Sequence, residues 1–274
     1  MTIDTLSQRR LENWCQTPER RAPDPEAAAA LIARLGVVTH YPTSPELPNL
    51  LHAYTGSPET KATSDWDSAS GHVYTWRWLL GRMEAGFYTA IVRRRPTWVS
   101  WALLPALLRL RGELRHPEEL YDAGELSTAA HRVVQALEAS GGTLATGDLR
   151  RAAGFPTGKE QRAAYLKAVE ELDTRLMLAK VFSPGDEDMR HALVSLRHPD
   201  HVAAAEALTR EEALDQFLQV YLPAACYAAP TVLARDLATP EPELRAGLER
   251  LIAANRATTT TLPGYKGTCY VWAG

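Results

Sequence analysis

The chain has 274 residues, with 30 lysines plus arginines and 33 aspartates plus glutamates, a formal net charge of −3. This balance excludes a strongly basic protein that coats nucleic acid along its whole surface, although it allows a local basic patch. An apolar content of 45% and a charged content of 23% exclude wholesale disorder, and no charge-free apolar run is long enough to cross a bilayer.

The first 120 residues are predicted to form several helices separated by loops. Pro25–Leu35 is an alanine-rich helix that Gly36 ends, and 39–48 is a proline-rich loop. A polar loop is predicted at 57–71. Three further helices are predicted at 74–83, 83–94 and 97–110, with Pro96 near the first turn of the last one.

The middle of the chain shows an ordered series of elements. A helix at 128–139 begins after the capping residue Ser127. The short segment Thr143-Leu144 follows, and Asp148-Leu149 opens a second helix. A third helix is predicted at 159–176. The segments 177–182 and 192–196 then form a β-hairpin around a Ser-Pro-Gly-Asp turn.

The last quarter of the chain repeats this series. A helix is predicted at 211–227, and Thr231-Val232 takes the place of the short segment, three residues before Asp236-Leu237. A helix at 242–255 and a hairpin formed by 257–262 and 268–272 complete the copy. The shared spacing of a threonine and an Asp-Leu pair supports an internal repeat.

Helix, short strand, helix, helix and two-stranded wing is the element order of a winged helix. The predicted fold class is therefore mainly α with small β-hairpins, an α+β protein with tandem winged-helix (helix-turn-helix) domains. The expected domains are residues 1–120, a helical or winged-helix-like domain, residues 121–205 and residues 206–274.

Positive charge is concentrated in one block, residues 71–115, which holds 8 basic and 2 acidic side chains, a net charge of +6. Five of the seven tryptophans lie between positions 66 and 101. Arginines among aromatic side chains are suited to holding phosphates and stacking bases. Alternatively, the tryptophans form core and the arginines a solvated rim. The predicted DNA-binding residues are Arg77, Arg82, Arg93, Arg94, Arg95, Lys167 and Lys266.

The two predicted winged helices offer few side chains for reading bases. Lys167 is the only basic side chain on the outward arc of the 159–176 helix, and the acidic residues 186–188 occupy the wing tip. The last third helix opens with Glu241 and Glu243, although its wing offers Tyr265 and Lys266. A protein-interaction scaffold, with a partner on a winged-helix face, is therefore an alternative function.

The N-terminal half contains an ordered set of short motifs. They are Leu35-Gly36, Glu46-Leu47-Pro48-Asn49-Leu50, Ala53, Gly56, Tyr74-x-Trp76, Phe87-Tyr88 and Pro96-Thr97-x-Val99-Ser100. With the tandem winged helices, the chain resembles the AlkZ-related bacterial proteins, distant relatives of the AlkZ/YcaQ-type winged-helix DNA glycosylases. The resemblance covers about 25–274 and implies a tandem winged-helix fold and a link to DNA.

The chain departs from those glycosylases where they carry a Gln-x-Gln or Gln-x-Asp motif. The corresponding stretch, 37–42, reads Val-Val-Thr-His-Tyr-Pro and contains neither glutamine nor carboxylate. Base excision needs a polar group that stabilises the sugar cation and positions a water. His40 is interpreted as a hydrogen-bonded structural histidine. The glycosylases also have an additional C-terminal barrel, whereas this chain ends at the last wing.

Other chemical motifs are weak. Asp65, Asp67 and His72 are interpreted as parts of a solvated loop, and Cys15, Cys226 and Cys269 form neither a disulfide framework nor a zinc spacing. We expect a cytoplasmic protein, because the first residues lack an apolar signal core. We also expect neither a cofactor nor a metal. The predicted function is non-catalytic DNA binding linked to DNA damage or genotoxin response. A glycosylase for alkylated or crosslinked bases is the enzymatic alternative.

Overall fold

A computed structural model describes residues 2–185 and 188–274. The helices in these ranges are α1 (Ile3–Asn13), α2 (Pro25–Leu35), α3 (Leu50–Thr55), α4 (Ala69–Arg82), α5 (Leu104–Arg111), α6 (Pro117–Asp122), α7 (Thr128–Ala139), α8 (Thr146–Ala152), α9 (Lys159–Thr174), α10 (Val194–Arg197), α11 (Pro199–Ala207), α12 (Arg210–Ala225), α13 (Pro230–Leu237) and α14 (Glu241–Ala253). The strands are β1 (Val37–Thr39), β2 (Phe87–Val92), β3 (Arg95–Val99), β4 (Leu144–Ala145), β5 (Leu178–Val181), β6 (Arg190–Leu193), β7 (Tyr227–Ala228), β8 (Ala257–Thr260) and β9 (Cys269–Trp272). The protein is thus mainly helical with small antiparallel sheets, the α+β class expected from the sequence.

One series of elements occurs three times along the chain. The first unit runs α2, β1, α3, α4, β2, β3; the middle unit runs α7, β4, α8, α9, β5, β6; the last unit runs α12, β7, α13, α14, β8, β9. Each unit has a three-stranded antiparallel sheet in which the third strand lies between the other two. The sequence predicted this order in the middle and last units, and the structure extends it to the first.

The hairpin of the first unit corrects two sequence predictions. The predicted helix at 83–94 is wrong, because Phe87–Val92 forms β2 and pairs with β3. The predicted helix at 97–110 is also wrong over its first part, since 97–99 belong to β3 and α5 begins at Leu104. Pro96 lies in the central strand, next to an irregularity between Thr89 and Val92, where a proline is tolerated.

The last unit contains a smaller correction. Thr231 and Val232 lie in α13 rather than in a strand, and the short strand of this unit is Tyr227–Ala228, directly after α12. Pro230 explains the difference. A proline is well placed in the first turn of a helix, so it starts α13 before the threonine.

The first and last units share one hydrophobic core, while the middle unit has a core of its own. Helix α5 leaves the first unit and packs against α12, so Leu107 and Phe217 belong to the same buried cluster. Gly36 permits this close approach. A Cβ at Gly36 would lie 2.7 Å from a Leu103 methyl and 3.1 Å from a Val220 methyl, and the residue has φ +80°.

The middle unit contacts the first through Phe182, which follows β5. Its ring lies 5.5 Å from Trp78 and 5.8 Å from Tyr88, between ring centroids. Gly81 on α4 makes room for this ring, because a Cβ there would lie 2.2 Å from it. The middle unit is therefore seated against both α4 and β2.

Within the part of the chain that the structure describes, no helix combines the length and apolar character needed to span a bilayer. Among the same residues, no group of three or more histidine, cysteine or acidic side chains is arranged to hold a metal ion. All three cysteines are free thiols.

Candidate nucleic-acid interface

Helix α4 is the third helix of the first unit and carries the predicted residues Arg77 and Arg82. It begins at Ser68, whose hydroxyl accepts a hydrogen bond from the Gly71 amide. One side of the helix is buried in the shared core and includes Val73 and Leu80. The helix contains two arginines and neither aspartate nor glutamate. The uncovered side is therefore positively charged.

Three aromatic rings and two guanidinium groups lie next to one another along α4. Trp66, in the loop before the helix, meets Tyr74 edge to face at 5.1 Å between ring centroids. Arg77 lies 3.9 Å from the Tyr74 ring centroid and 5.5 Å from that of Trp78. Arg82 lies 5.7 Å from the Trp78 centroid. We call these five side chains the α4 row.

The tryptophans of the basic block divide between core and surface. Trp98 is fully buried and Trp76 is 6% exposed, as the core interpretation predicts. Trp66, in contrast, is 66% exposed. Trp78 and Trp101 are half-buried. The core interpretation is therefore confirmed for Trp98 and Trp76, whereas Trp66 lies at the surface.

The three consecutive arginines lie at the hairpin that joins β2 to β3. Arg93 and Arg94 form its two-residue turn, with φ +48° and +58°, and Arg95 begins β3 and is exposed. Such a turn favours asparagine and glycine, since φ is positive at both positions. The side chains of Arg93 and Arg94 each pair with a carboxylate.

These partners belong to the other two units. The Arg93 Nε atom lies 2.6 Å from an oxygen of Asp236 on α13, a carboxylate with no exposed surface. Asp236 also accepts a hydrogen bond from the Ser44 hydroxyl. Arg94 lies 2.9 Å from Glu170 on α9, where both side chains are exposed. One turn of the first unit thus contacts the middle and last units.

The remaining predicted contacts lie on different surfaces. Lys167 is exposed on α9, one helical turn before Glu170, so the structure brings it beside the Arg94 ion pair. Lys266 is exposed between β8 and β9 in the last unit. Asp188 in the middle wing is exposed, whereas Asp186 and Glu187 lie outside the described residues.

The position of the glycosylase motif is occupied by buried and already bonded side chains. His40 is 2% exposed, and its Nδ1 atom lies 3.2 Å from the Trp98 indole nitrogen. An indole nitrogen can only donate, so Nδ1 accepts and the proton of the neutral imidazole stays on Nε2. His40 therefore has no free lone pair with which to take a proton from water.

Burial lowers the pKa of His40 to about 4; the Val73 backbone opposes this shift, and the charge of Arg77 adds to it. The Val73 backbone lies near the ring, but Nε2 forms no hydrogen bond by distance and angle with the described residues. The flanking polar groups are also occupied. The Thr39 hydroxyl donates to the Tyr41 carbonyl at 2.8 Å, and the Tyr41 hydroxyl donates to the Ser70 carbonyl at 3.0 Å. Neither residue retains a free proton acceptor of useful basicity.

The loop carboxylates that precede α4 have structural contacts. Asp65 accepts a hydrogen bond from the Asp67 amide at 3.1 Å, as in a polar turn. His72 accepts from, or donates to, the Tyr54 hydroxyl at 3.0 Å. This arrangement agrees with the solvated-loop interpretation.

The sequence does not predict the partners of two buried carboxylates. Asp236, which holds Arg93, belongs to the repeat spacing. Glu46 belongs to the Glu46–Leu50 motif and is the nearest carboxylate downstream of His40. Glu46 is fully buried and accepts hydrogen bonds from the Tyr221 hydroxyl at 2.7 Å and from Arg10 at 3.5 Å. Burial alone would lower the pKa of Arg10, but Glu46 and neighbouring tyrosines outweigh burial and raise it. These pairs join segments far apart in the chain, so no local signal reveals them.

Two sizeable cavities lie elsewhere. One, of about 490 Å³, lies between α5, α11 and the segment 113–119; the other, of about 520 Å³, lies between α1, the segment 42–49 and Tyr265. The first is lined by Arg115, the last arginine of the block, but neither is lined by His40 or by the predicted DNA-binding arginines.

Comparisons with known proteins agree with this description. The structure is similar to that of the DNA glycosylase AlkZ from Streptomyces sahachiroi, with a TM-score of 0.56 and 16% sequence identity, over 97% of this chain and 69% of that chain. At this identity the similarity concerns the fold. No curated protein sequence matches the chain. The model of the AlkZ-related family matches residues 22–223, well over half of the chain, and the protein therefore belongs to the AlkZ-related family.

Proposed function

We propose that the protein is a non-catalytic DNA-binding protein built from tandem winged-helix domains, with boundaries at residues 1–120, 121–205 and 206–274. The threefold occurrence of helix, strand, helix, helix and hairpin supports this domain class. The structural similarity to a DNA glycosylase supports nucleic acid as the partner, and we propose a role linked to DNA damage or genotoxin response.

The observation that carries the proposal is the chemistry of α4. In a winged helix, the third helix is the element that approaches DNA. In the first unit that helix carries arginines and aromatic rings without any acidic residue. The third helix of the last unit instead opens with Glu241 and Glu243, and that of the middle unit carries three exposed basic side chains beside four acidic residues. DNA is therefore expected at the first unit.

We assign phosphate contacts to Arg82, Arg94 and Arg95, with Arg77, Lys167 and Lys266 as further contacts. Arg93 belongs to the same surface, but its Nε atom is held by Asp236, so its main role is to position the turn. The Arg94–Glu170 pair is exposed and weak, and a phosphate can displace it.

The state of His40 supports the proposed absence of catalysis. Its basic nitrogen is used by Trp98, and its pKa of about 4 keeps it neutral and unavailable near pH 7. Since 37–42 contains no carboxylate or glutamine, no other side chain of that stretch can activate water.

Salt-dependent DNA binding tests the first part of the proposal. A fluorescently labelled 20-base-pair duplex is titrated with protein at salt concentrations from 50 to 200 mM. Each phosphate contact contributes a slope of about −0.9 in log affinity against log salt. Replacing Arg82, Arg94 and Arg95 together by alanine is expected to flatten the slope by roughly two to three units.

Arg256→Ala is the matched control. Arg256 is an exposed arginine that lies over the ring of Trp272, at 4.9 Å from its centroid, but it is not among the assigned phosphate contacts. Its removal should leave the slope unchanged. An equal loss in the control and the triple variant would show that any surface arginine contributes, and the proposed interface would be wrong.

Product analysis tests the second part. Purified protein is incubated with DNA that carries N7- or N3-alkylated purines or an interstrand crosslink, and abasic sites are measured. We expect none. Abasic sites that depend on the protein would establish the glycosylase alternative.

A further inference from the structure

The α4 row has a feature that its packing does not explain: one of its rings is left in solvent. Trp66 is 66% exposed, although it contacts Tyr74 on one side. Tryptophan side chains are highly buried on average in folded proteins, so this exposure is unusual. Hydrogen bonds in the loop and the close approach of the loop to α4 place Trp66 in this exposed position.

The loop around Trp66 is held firmly at the start of α4. The Ser68 hydroxyl donates to the Asp65 carbonyl at 2.5 Å, and the Thr63 hydroxyl donates to the Ser68 hydroxyl at 2.9 Å. Gly71 lets the loop approach the helix, since a Cβ there would lie 2.0 Å from the Trp66 carbonyl oxygen. The exposed ring is thereby placed in line with Tyr74 and Arg77.

Two arginines of the α4 row follow Trp66 along the helix. The Nε atom of Arg77 is buried and forms no hydrogen bond with the described residues, and Arg82 is exposed at the far end. Asp65 and Asp67 flank Trp66 in the sequence, are exposed, and repel phosphates. A bound strand would therefore keep its phosphates towards Arg77 and Arg82 while a base reaches Trp66.

We infer that the α4 row is a stacking site for unpaired bases of single-stranded DNA, with Trp66 as the terminal platform. This inference rests on the proposed DNA-binding function and specifies its ligand. In duplex DNA both faces of each base are covered by neighbouring base pairs, whereas an unpaired base has a free face for an aromatic ring. Stacking of this kind tolerates any base sequence, and salt-sensitive arginines beside it hold the backbone.

The test compares labelled dT15 with a 15-base-pair duplex in the full-length protein. Trp66→Ala is expected to weaken binding of dT15 by about 5- to 150-fold, the ratio equivalent to roughly 1–3 kcal/mol for one stacked base. The salt slope should stay unchanged, because the ring neutralises no phosphate. Trp66→Phe should retain most of the affinity for dT15, and duplex affinity should change less than about twofold in both variants.

Leu79→Ala is the matched control, since Leu79 is a large apolar side chain on α4 that is 44% exposed and outside the row. It should leave binding of dT15 unchanged. Circular dichroism confirms that each variant is folded. If dT15 binds and Trp66→Ala has no effect, or weakens the duplex equally, the stacking site is wrong while DNA binding stands. If neither DNA binds at 50 mM salt, the proposed function itself is wrong.

Discussion

Replacing Arg93 by alanine should destabilise the fold, because it removes the nearest cationic partner of a fully buried carboxylate. The Arg93–Asp236 pair is 2.6 Å long, with side-chain exposures of 37% and 0%. Removing one member of a buried pair costs roughly 3–5 kcal/mol. Arg93 is partly solvated, and Ser44 still donates to Asp236. The Arg235 Nε atom also remains 3.7 Å from the carboxylate oxygen that Arg93 contacts, so we expect a loss of about 2 kcal/mol.

Backbone strain in the same turn can be separated from the ion pair. Arg93 has φ +48°, which costs a non-glycine residue roughly 1–2 kcal/mol. Arg93→Gly removes both the pair and the strain, so it should be about 1 kcal/mol more stable than Arg93→Ala. Combining Arg93→Ala with Asp236→Ala should destabilise less than the sum of the single changes, because the two residues are in contact.

Urea and thermal unfolding followed by circular dichroism measure these differences. A loss of about 2 kcal/mol corresponds to a fall in Tm of roughly 4–8 °C for a chain of this size. Arg94→Ala is the control, since its pair with Glu170 is exposed and should contribute less than about 1 kcal/mol. Strictly additive effects of Arg93→Ala and Asp236→Ala, or a loss below about 0.5 kcal/mol in Arg93→Ala, would refute the reasoning.

Three further predictions concern packing, pH and DNA. Gly81→Ala should destabilise by about 1–3 kcal/mol in urea unfolding, because its Cβ would lie 2.2 Å from the Phe182 ring; an unchanged midpoint would contradict this contact. The pKa of His40 is about 4 in the folded state against about 6.5 when unfolded, so the stability from its neutral form is present above pH 6.5 and is lost as the pH falls towards 4. This loss amounts to about 3 kcal/mol and should shrink in His40→Gln; equal pH dependence in both proteins would exclude His40 as its source. Lys167→Ala should weaken duplex binding by less than about 1 kcal/mol without changing the preferred sequence, and a large loss on one sequence alone would mean that α9 reads bases.

The sequence by itself determined the helices whose signals are local. Asp24 and Gly36 bound α2, and Ser127 caps α7, because capping side chains and left-handed glycines act on their own neighbours in the chain. The repeated order of the middle and last units was also readable, since each copy combines the same local signals.

Only the tertiary structure decided where the side chains of the basic block lie. The segment 83–94 is compatible with a helix by its local residues, but it forms a strand because it pairs with β3 across the turn, while β1 pairs with the other edge of β3. The position of Trp66 depends on the close approach of its carbonyl to Gly71. The ion pair of Arg93 is formed with Asp236, 143 positions away. His40 is neutral because Trp98 and the surrounding rings exclude water. Such contacts join residues distant in the chain, and their energies depend on burial, which composition and periodicity do not encode.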